Sequence, residues 1–484
     1  MNVTIKKMIM KRYIVLFWTT CLFLCGCEDF LTVKPKSDIK DVDLFSTAEG
    51  CEDALYGSYA EIGGQNMYGR QMRYFVPELL THAWQVNQTD LNSGSGQINN
   101  YMHEGKGARD EYAVIWKSTY AAIAQINDIL TNLQKAAPGK YRYFDYYRGE
   151  ALGIRAFLHF DLLRLFAPHI GSKPEARAIP YVTTWGNRVT PFSTVGQVYK
   201  AVLSDLKKAE LSLEKAEKLE DDGKTTFLKN RQLHFNLDAA RATLARVYWM
   251  RGDLDSACLY AEKVIETKKY KVVSQMNVKN MLASIVAQDE TIWGIYQRMP
   301  FGSMGEDFYK NSGLLPRADA LDFYESSGSV MDLRRNWFRE KKYRPSWETP
   351  NTYFLKFLDE DAYNNQGAPE FGGITGFSLI RIPEMYYIAA EALLEKDPEK
   401  ARAYFNLVIE NRGRVGLQAG QRLTLQELNE ERFREFFGEG YEWYNMKRQN
   451  RDLYLPASAE TVKGSDERYT LTIPNEEFDY RQEE

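Results

Sequence analysis

Glu150, Arg155, Asp161 and Arg164 are charges in or beside the otherwise apolar run Ala151–Phe166. Carboxylates beside guanidinium groups are raw material for acid–base chemistry. At these spacings they more readily form ion pairs, within one helix or across to a neighbour, that orient a scaffold. Glu439 and Arg448 read the same way. The five histidines, His82, His103, His159, His169 and His234, form no close pair of ligand spacing, and no Cys-x-x-Cys is present, so no metal is implied. His159, inside the apolar run, reads as a satisfied core histidine. The Gly-x-Ser-x-Gly elbow, the phosphate-binding loop and the Gly-x-Gly-x-x-Gly fingerprint are missing, and no cofactor is implied. A glycosidase's carboxylates are set by separation in space, so the sequence leaves a hydrolase open.

The elements that would carry these groups are helices. Apolar residues recur in steps of three and four in Glu111–Leu133, Ala151–Phe166, Val198–Leu213, Ala239–Ile265, Ile382–Leu394, Ala401–Ile409 and Leu425–Phe437. Glu290–Gln297 and Tyr469–Pro474 read as short strands. The fold class is therefore all-α, with a few short strands. Leu244, Ala245, Tyr248, Gly252, Ala257 and Ala261 sit at offsets resembling a tetratricopeptide helix-turn-helix, with Gly252-Asp253 near the turn. Ala389, Ala390, the break at Asp397-Pro398, and Ala401 repeat the idea. Small residues are needed where two helices cross closely, and together the two pairs predict a helical-repeat scaffold. Irregular stretches separate the helices at Gln85–Gly107, Ala167–Phe192, Leu219–Thr226 and Met299–Gly376. Connections of this length are usually functional or disordered. The last holds Phe301, Phe308, Tyr309, Phe323, Tyr324, Trp337, Trp347 and Tyr353, too many aromatics for a disordered segment.

The N-terminus has its own chemistry. Lys6, Lys7, Lys11 and Arg12 precede an apolar run, Tyr13–Leu24, that is short of the about 20 residues a membrane span needs. Basic-then-apolar is the layout of a signal peptide, here residues 1–26. Leu24-Cys25-Gly26-Cys27 resembles the lipobox of bacterial lipoproteins, which is cut before the cysteine that then carries lipid. Ordinary cleavage has no use for a cysteine just after the cut, so Cys27 is read as the lipidated first residue. Without residues 1–26 the chain has 458 residues and 58 basic against 66 acidic side chains, a formal charge of −8. A nucleic-acid partner would normally leave a basic stripe, and nothing suggests one. Cys51 and Cys258 then remain, too few to staple a fold of this size; they could pair in an oxidising compartment, while Cys258, among small apolar residues, reads as packed. No later segment is apolar enough to span a bilayer, so the lipid would be the only membrane attachment.

In order along the chain, "CEDFLTVKP", "RGEALGIRAFLHFDLLRLFAPH" (148–169), "STVGQVYKAVLSDLKKAE", "IRIPEMYYIAAEAL", "YFNLVIENRG", "ERFREFFGEGYEWYNMKR" (431–448) and "LTIPNEEFDY" resemble the motifs of the SusD/RagB nutrient-uptake lipoproteins of Bacteroidetes. The chain departs from that pattern twice. It stops at "RQEE" where the family commonly ends Asn-Pro-Gly-Tyr, and Asn445 stands where Asp is usual, keeping a hydrogen-bonding group but losing a charge.

The resemblance implies a tetratricopeptide-like scaffold whose long loops hold the ligand, with an N-terminal part over 27–230 and a C-terminal part over 231–484 that includes the aromatic region 299–376. It also implies a lipid-anchored protein on the outer face of the outer membrane, capping a SusC-like TonB-dependent transporter, with an oligosaccharide or a peptide as ligand. Glu28 and Asp29 resemble an acidic surface-export signal, and taken alone they read as well as a solvated linker. A glycan binder needs aromatic faces for sugar rings and amides or charges for hydroxyls. In the family these come from the loop before the first long helix and from the region after the middle helices. The candidates are Tyr68, Tyr74, Trp84, Asn87 and Tyr101 in the first, and Trp293, Tyr296, Tyr309 and Trp347 in the second. Taken singly, each reads more readily as an ordinary core or helix-capping residue; Trp84, beside Gln85, Asn87 and Gln88, is the strongest candidate. Two other classes compete with a binder: a surface hydrolase on a helical toroid, and a scaffold with only protein partners, which would have no use for the aromatic loops.

Overall fold

The computed structural model describes residues 44–86, 90–273, 289–297, 307–308, 314–324, 331–341, 351–357 and 376–479. The predicted signal segment 1–26, Cys27 with Glu28 and Asp29, and the site candidates Asn87, Tyr309 and Trp347 lie outside the described residues. Contacts divide the chain after Gly50. Of the first unit residues 44–50 are described, and they lead into α1 (Ala48–Ile62).

In Cys51–Glu484 a π-helical turn, Gln71–Phe75, runs into α2 (Val76–Leu80). A short α3 (Gly94–Asn99) follows in the stretch expected to be irregular, and its cause is local: Ser93 Oγ accepts from Gly96 N at 3.1 Å and caps it. The scaffold is a run of helices, α4 (Lys106–Lys135), α5 (Phe144–Phe166), α6 (Val195–Ala216), α7 (Leu237–Arg251), α8 (Leu254–Ile265), α9 (Ile382–Leu393) and α10 (Pro398–Glu410), each packed on the next. Next come α11 (Leu425–Glu435), α12 (Glu442–Arg448) and α13 (Glu476–Asp479). None of the described helices is long and apolar enough to cross a membrane.

Both predicted helical hairpins form. Gly252 adopts φ +86° at the end of α7, a left-handed conformation that favours glycine, and Asp253 Oδ1 caps α8 by accepting from Ser256 N at 3.1 Å. Asp397 caps α10 in the same way, with Pro398 at the first helical position. Ala245, Ala257, Ala261, Ala389, Ala390 and Ala401 are all buried at the crossings, and Tyr248 stacks on Tyr260 with centroids 5.7 Å apart.

α5 is the central helix: every residue from Gly149 to Phe166 is buried. Its charges therefore need partners, since an unpaired buried charge is strongly unfavourable. Glu150 pairs with Arg231 at 2.6 Å, Arg155 with Asp205 at 2.8 Å, and Asp161 with Arg164. These are the scaffold pairs the sequence suggested. His159 is a core residue as expected: Nδ1 donates to Arg155 O at 2.8 Å and Nε2 accepts from Val182 N at 3.0 Å, while burial pushes its pKa down to about 3. Cys51 is buried, Cys258 half-buried, and both are free.

Three antiparallel ribbons complete the fold. β1 (Thr291–Tyr296) pairs with β4 (Gly376–Arg381), β2 (Phe338–Lys341) with β3 (Asn351–Phe354), and β5 (Leu453–Leu455) with β6 (Glu460–Val462). The expected strand at 290–297 is β1. The one expected at 469–474 does not form: Leu471 N bonds Leu165 O at 2.9 Å, and Tyr469 and Leu471 are buried. The alternation there serves to fill space at the end of α5, not to pair with another strand.

Candidate functional site

The two loops nominated by sequence meet. Trp84 bridges to Pro316, Gln85 N donates to Leu315 O at 2.7 Å, and Arg317 N donates to Ala83 O at 2.8 Å. Next to this junction a groove of about 650 Å³ opens, its wall drawn from Thr81, His82 and Tyr101, from Arg317 and Phe323, and from α11, α12 and β5.

Aromatic faces line it. Tyr454 is 47 % exposed, because in Leu453-Tyr454-Leu455 the outer two side chains turn inward and the middle one outward. Phe323 and Phe433 are half-buried and meet edge to face at 5.0 Å. His82, at φ +57°, lies between Tyr454 and Tyr101, with centroids 6.1 and 5.6 Å away. Its Nε2 donates to Asn99 O at 2.8 Å, and burial lowers its pKa, so the ring is neutral.

Polar groups between the rings are held in place by one another. Asn429 Oδ1 accepts from Asn445 Nδ2 at 3.1 Å and from Gln449 Nε2 at 3.0 Å, while Asn429 Nδ2 donates to Gln449 Oε1. Arg451 Nε donates to Gln449 Oε1 at 2.8 Å and Nη1 to Glu442 Oε1 at 2.6 Å. Burial raises the Glu442 carboxyl, with Arg451 opposing it. Gln426, Glu430 and Asp452 are exposed at the rim. Such a surface can stack the apolar face of a ring on Tyr454 or Phe433 and offer amides and charges of both signs to hydroxyls.

Among the predicted residues, Tyr101 lines the groove; it is 8 % exposed, its hydroxyl donates to Leu80 O at 3.0 Å, and its ring stacks on Trp443. Tyr296, 54 % exposed at the end of β1, does not line it. Trp84 is 2 % exposed, packed among Phe308, Phe354 and Phe437, with Nε1 donating to Tyr74 O at 2.6 Å. Tyr74 and Tyr68 are buried too, donating to Asp307 and Asp161. Trp293 is enclosed by Phe157 and Phe235. These four side chains are buried, and none of them lines the groove. Tyr454, Phe433, Asn429 and Gln426 escaped the sequence reading. The alternation at 453–455 was the signal for Tyr454; for the others the signal was a helix face, which needs the neighbouring loop to become a wall.

The signature around Gly-Glu-Gly supports the groove from behind. Gly440 has φ +74° and its N donates to Glu78 Oε1 at 2.7 Å; a Cβ there would lie 2.6 Å from Arg73 O. Glu439 pairs with Lys356 and with Arg381. Lys447 donates to the carbonyls of Arg164, Ala167 and Tyr469 at 2.6–2.9 Å, tying α12 to the end of α5. Arg448, as expected, pairs with Glu391 at 2.8 Å.

Comparison with known proteins gives concordant matches. A family model described as "Starch-binding associating with outer membrane" matches residues 29–249, and one described as "SusD family" matches residues 296–482. The chain is 25 % identical to SusD-like protein P2 of Formosa agariphila, over 97 % of each chain. A SusD superfamily structure from Bacteroides thetaiotaomicron superposes with a TM-score of 0.73 at 22 % identity, covering 90 % of this chain and 98 % of that one. Surface glycan-binding protein A from Bacteroides uniformis gives 0.68 at 18 % identity (90 % and 98 %), and a laminarin-binding SusD-like protein 0.65 at 19 % (89 % and 96 %).

Proposed function

Since the chain belongs to the SusD/RagB family, we propose that it is a surface lipoprotein that captures an extracellular oligosaccharide and passes it to a SusC-like TonB-dependent transporter. Lipid on Cys27 anchors it to the outer membrane, facing out. The groove is the observation that carries the reading: exposed and half-buried rings alternate with a fixed set of amides, guanidinium groups and carboxylates. The family description couples starch binding to an outer membrane, and two proteins of the same fold are named for glycan binding. Capture needs no bond-making. Delivery needs only that the glycan bind more tightly in the receiving arrangement of the pair than after release.

The test is binding of the lipid-free chain, residues 28–484, to a panel of purified polysaccharides, oligosaccharides and peptides, with an assay for cleavage products in the same tubes. Saturable binding of an intact glycan is expected, weakened about tenfold, or about 1.4 kcal/mol, in Tyr454→Ala and in Asn429→Ala. New reducing ends or free amines that copurify with the protein would replace capture by hydrolysis. Saturable binding of peptides alone would replace the glycan. Unaltered affinity in both variants would remove the groove as the site.

A further inference from the structure

Behind the Gly-Glu-Gly turn lies a separate small cavity of about 50 Å³. One water needs about 10–15 Å³ measured this way, so the space suits one ion with a water beside it. Its wall carries four guanidinium groups, from Arg73, Arg164, Arg246 and Arg381, and three carboxylates, from Asp161, Glu384 and Glu439.

Every one of those carboxylates is committed. Asp161 holds Arg164 and accepts from Tyr68; Glu384 takes Arg246 Nε and Nη2, both at 2.6 Å; Glu439 holds Arg381 and Lys356. Arg73 is the cation left over. It is 2 % exposed, its Nε donates to Tyr68 O at 3.0 Å, and the rings of Phe377 and Phe357 lie 4.2 and 4.4 Å from its guanidinium carbon. Among the described residues no carboxylate is within ion-pair distance of it, and its Nη2 has no hydrogen-bond partner. Two more buried donors in the same wall, Arg164 Nε and Tyr441 Oη, also lack partners. Burial lowers the Arg73 pKa only to about 10, so the charge is present at neutral pH.

A buried cation with a spare donor, two other spare donors and room for one ion together select a ligand that is small, negatively charged and accepts from several directions. We propose that this cavity is a binding site for a monovalent anion of chloride size, held by Arg73 Nη2, Arg164 Nε and Tyr441 Oη. The half-buried Ser378, Leu379 and Tyr441 form the side through which it exchanges with solvent. The site is independent of the glycan groove, and it joins the π-helical turn to the Gly-Glu-Gly turn.

Bromide is the probe. Crystals of the lipid-free chain grown with sodium bromide should show an anomalous peak in the cavity at the bromide edge. In solution the thermal midpoint should rise with bromide relative to sodium gluconate at equal ionic strength, because gluconate is too large to enter. Arg73→Met should abolish both signals. Tyr441→Phe keeps the ring and the fold and should weaken the bromide response about tenfold, as expected for one hydrogen bond to a charge. A cavity without an anomalous peak, or superimposable bromide and gluconate curves for the unmodified chain, would overturn the site.

Discussion

Glu78 illustrates how one buried group writes a pH dependence into the fold. Burial pushes its carboxyl up to about 8, although the N–H groups of Gly440 and Gly438 favour the ionised form. The unfolded chain ionises it near the ordinary value of 4.5. Between those two limits the native state binds the proton and the unfolded state does not, so stability falls as pH rises, by at most about 1.4 kcal/mol per pH unit. Glu78→Gln copies the protonated form and can still accept from Gly440. Its thermal midpoint, measured from pH 5 to pH 8, is expected to lose this group's share of the downward slope; parallel curves for variant and parent would refute the assignment. Tyr454 is the contrasting residue: it is exposed, so Tyr454→Ala is expected to change stability by less than about 0.5 kcal/mol while lowering glycan affinity. Urea unfolding beside a binding titration separates the two.

Among the helices, glycine content decides how closely neighbours approach. A Cβ on Gly153 of α5 would lie 1.9 Å from the buried ring of Phe235, and one on Gly149 would lie 2.6 Å from Leu213. Gly153→Ala therefore overpacks the central helix and is expected to cost about 1–3 kcal/mol in urea unfolding. Gly57, on the exposed side of α1, meets nothing within 4 Å, so Gly57→Ala is expected to gain about 0.5–1 kcal/mol in the same assay. The helices were legible because amphipathic spacing, the Gly252-Asp253 turn and the Asp397-Pro398 break all act within a few residues of one another. The site was less legible. Trp84 has the composition of a ligand platform, yet three phenylalanines from distant segments enclose it, and no local pattern records that. Asn429 and Phe433 look like ordinary helix surface until Arg317 and Phe323 arrive opposite them.

At the scale of the molecule, a cluster of buried ion pairs joins segments far apart in sequence. Glu435 of α11 receives Arg381 at 2.8 Å, Arg412 at 2.9 Å and Arg334 at 3.1 Å, and Glu290 receives Arg381 and Arg412 at 2.8 and 2.7 Å. Burial alone would raise the Glu435 carboxyl; Arg412 and Arg381 more than reverse this and hold it well below the usual range. Arg412→Met leaves carboxylates buried without their counter-charge and is expected to cost about 3–5 kcal/mol. Lys463, whose partner Asp452 is on the surface, is the control, and Lys463→Ala should leave the thermal midpoint where it was. An equal effect of the two substitutions would show that the cluster does not hold the fold together. The backbone bridge between Ala83–Gln85 and Leu315–Arg317 has a different consequence, one of timing. Two segments more than 200 residues apart in sequence are fastened by main-chain bonds that no side-chain substitution short of proline removes. Reporters attached on either side, at Gln85 and at Arg317, should accordingly relax with one shared time constant, and a glycan arriving at either loop should be felt by both at once.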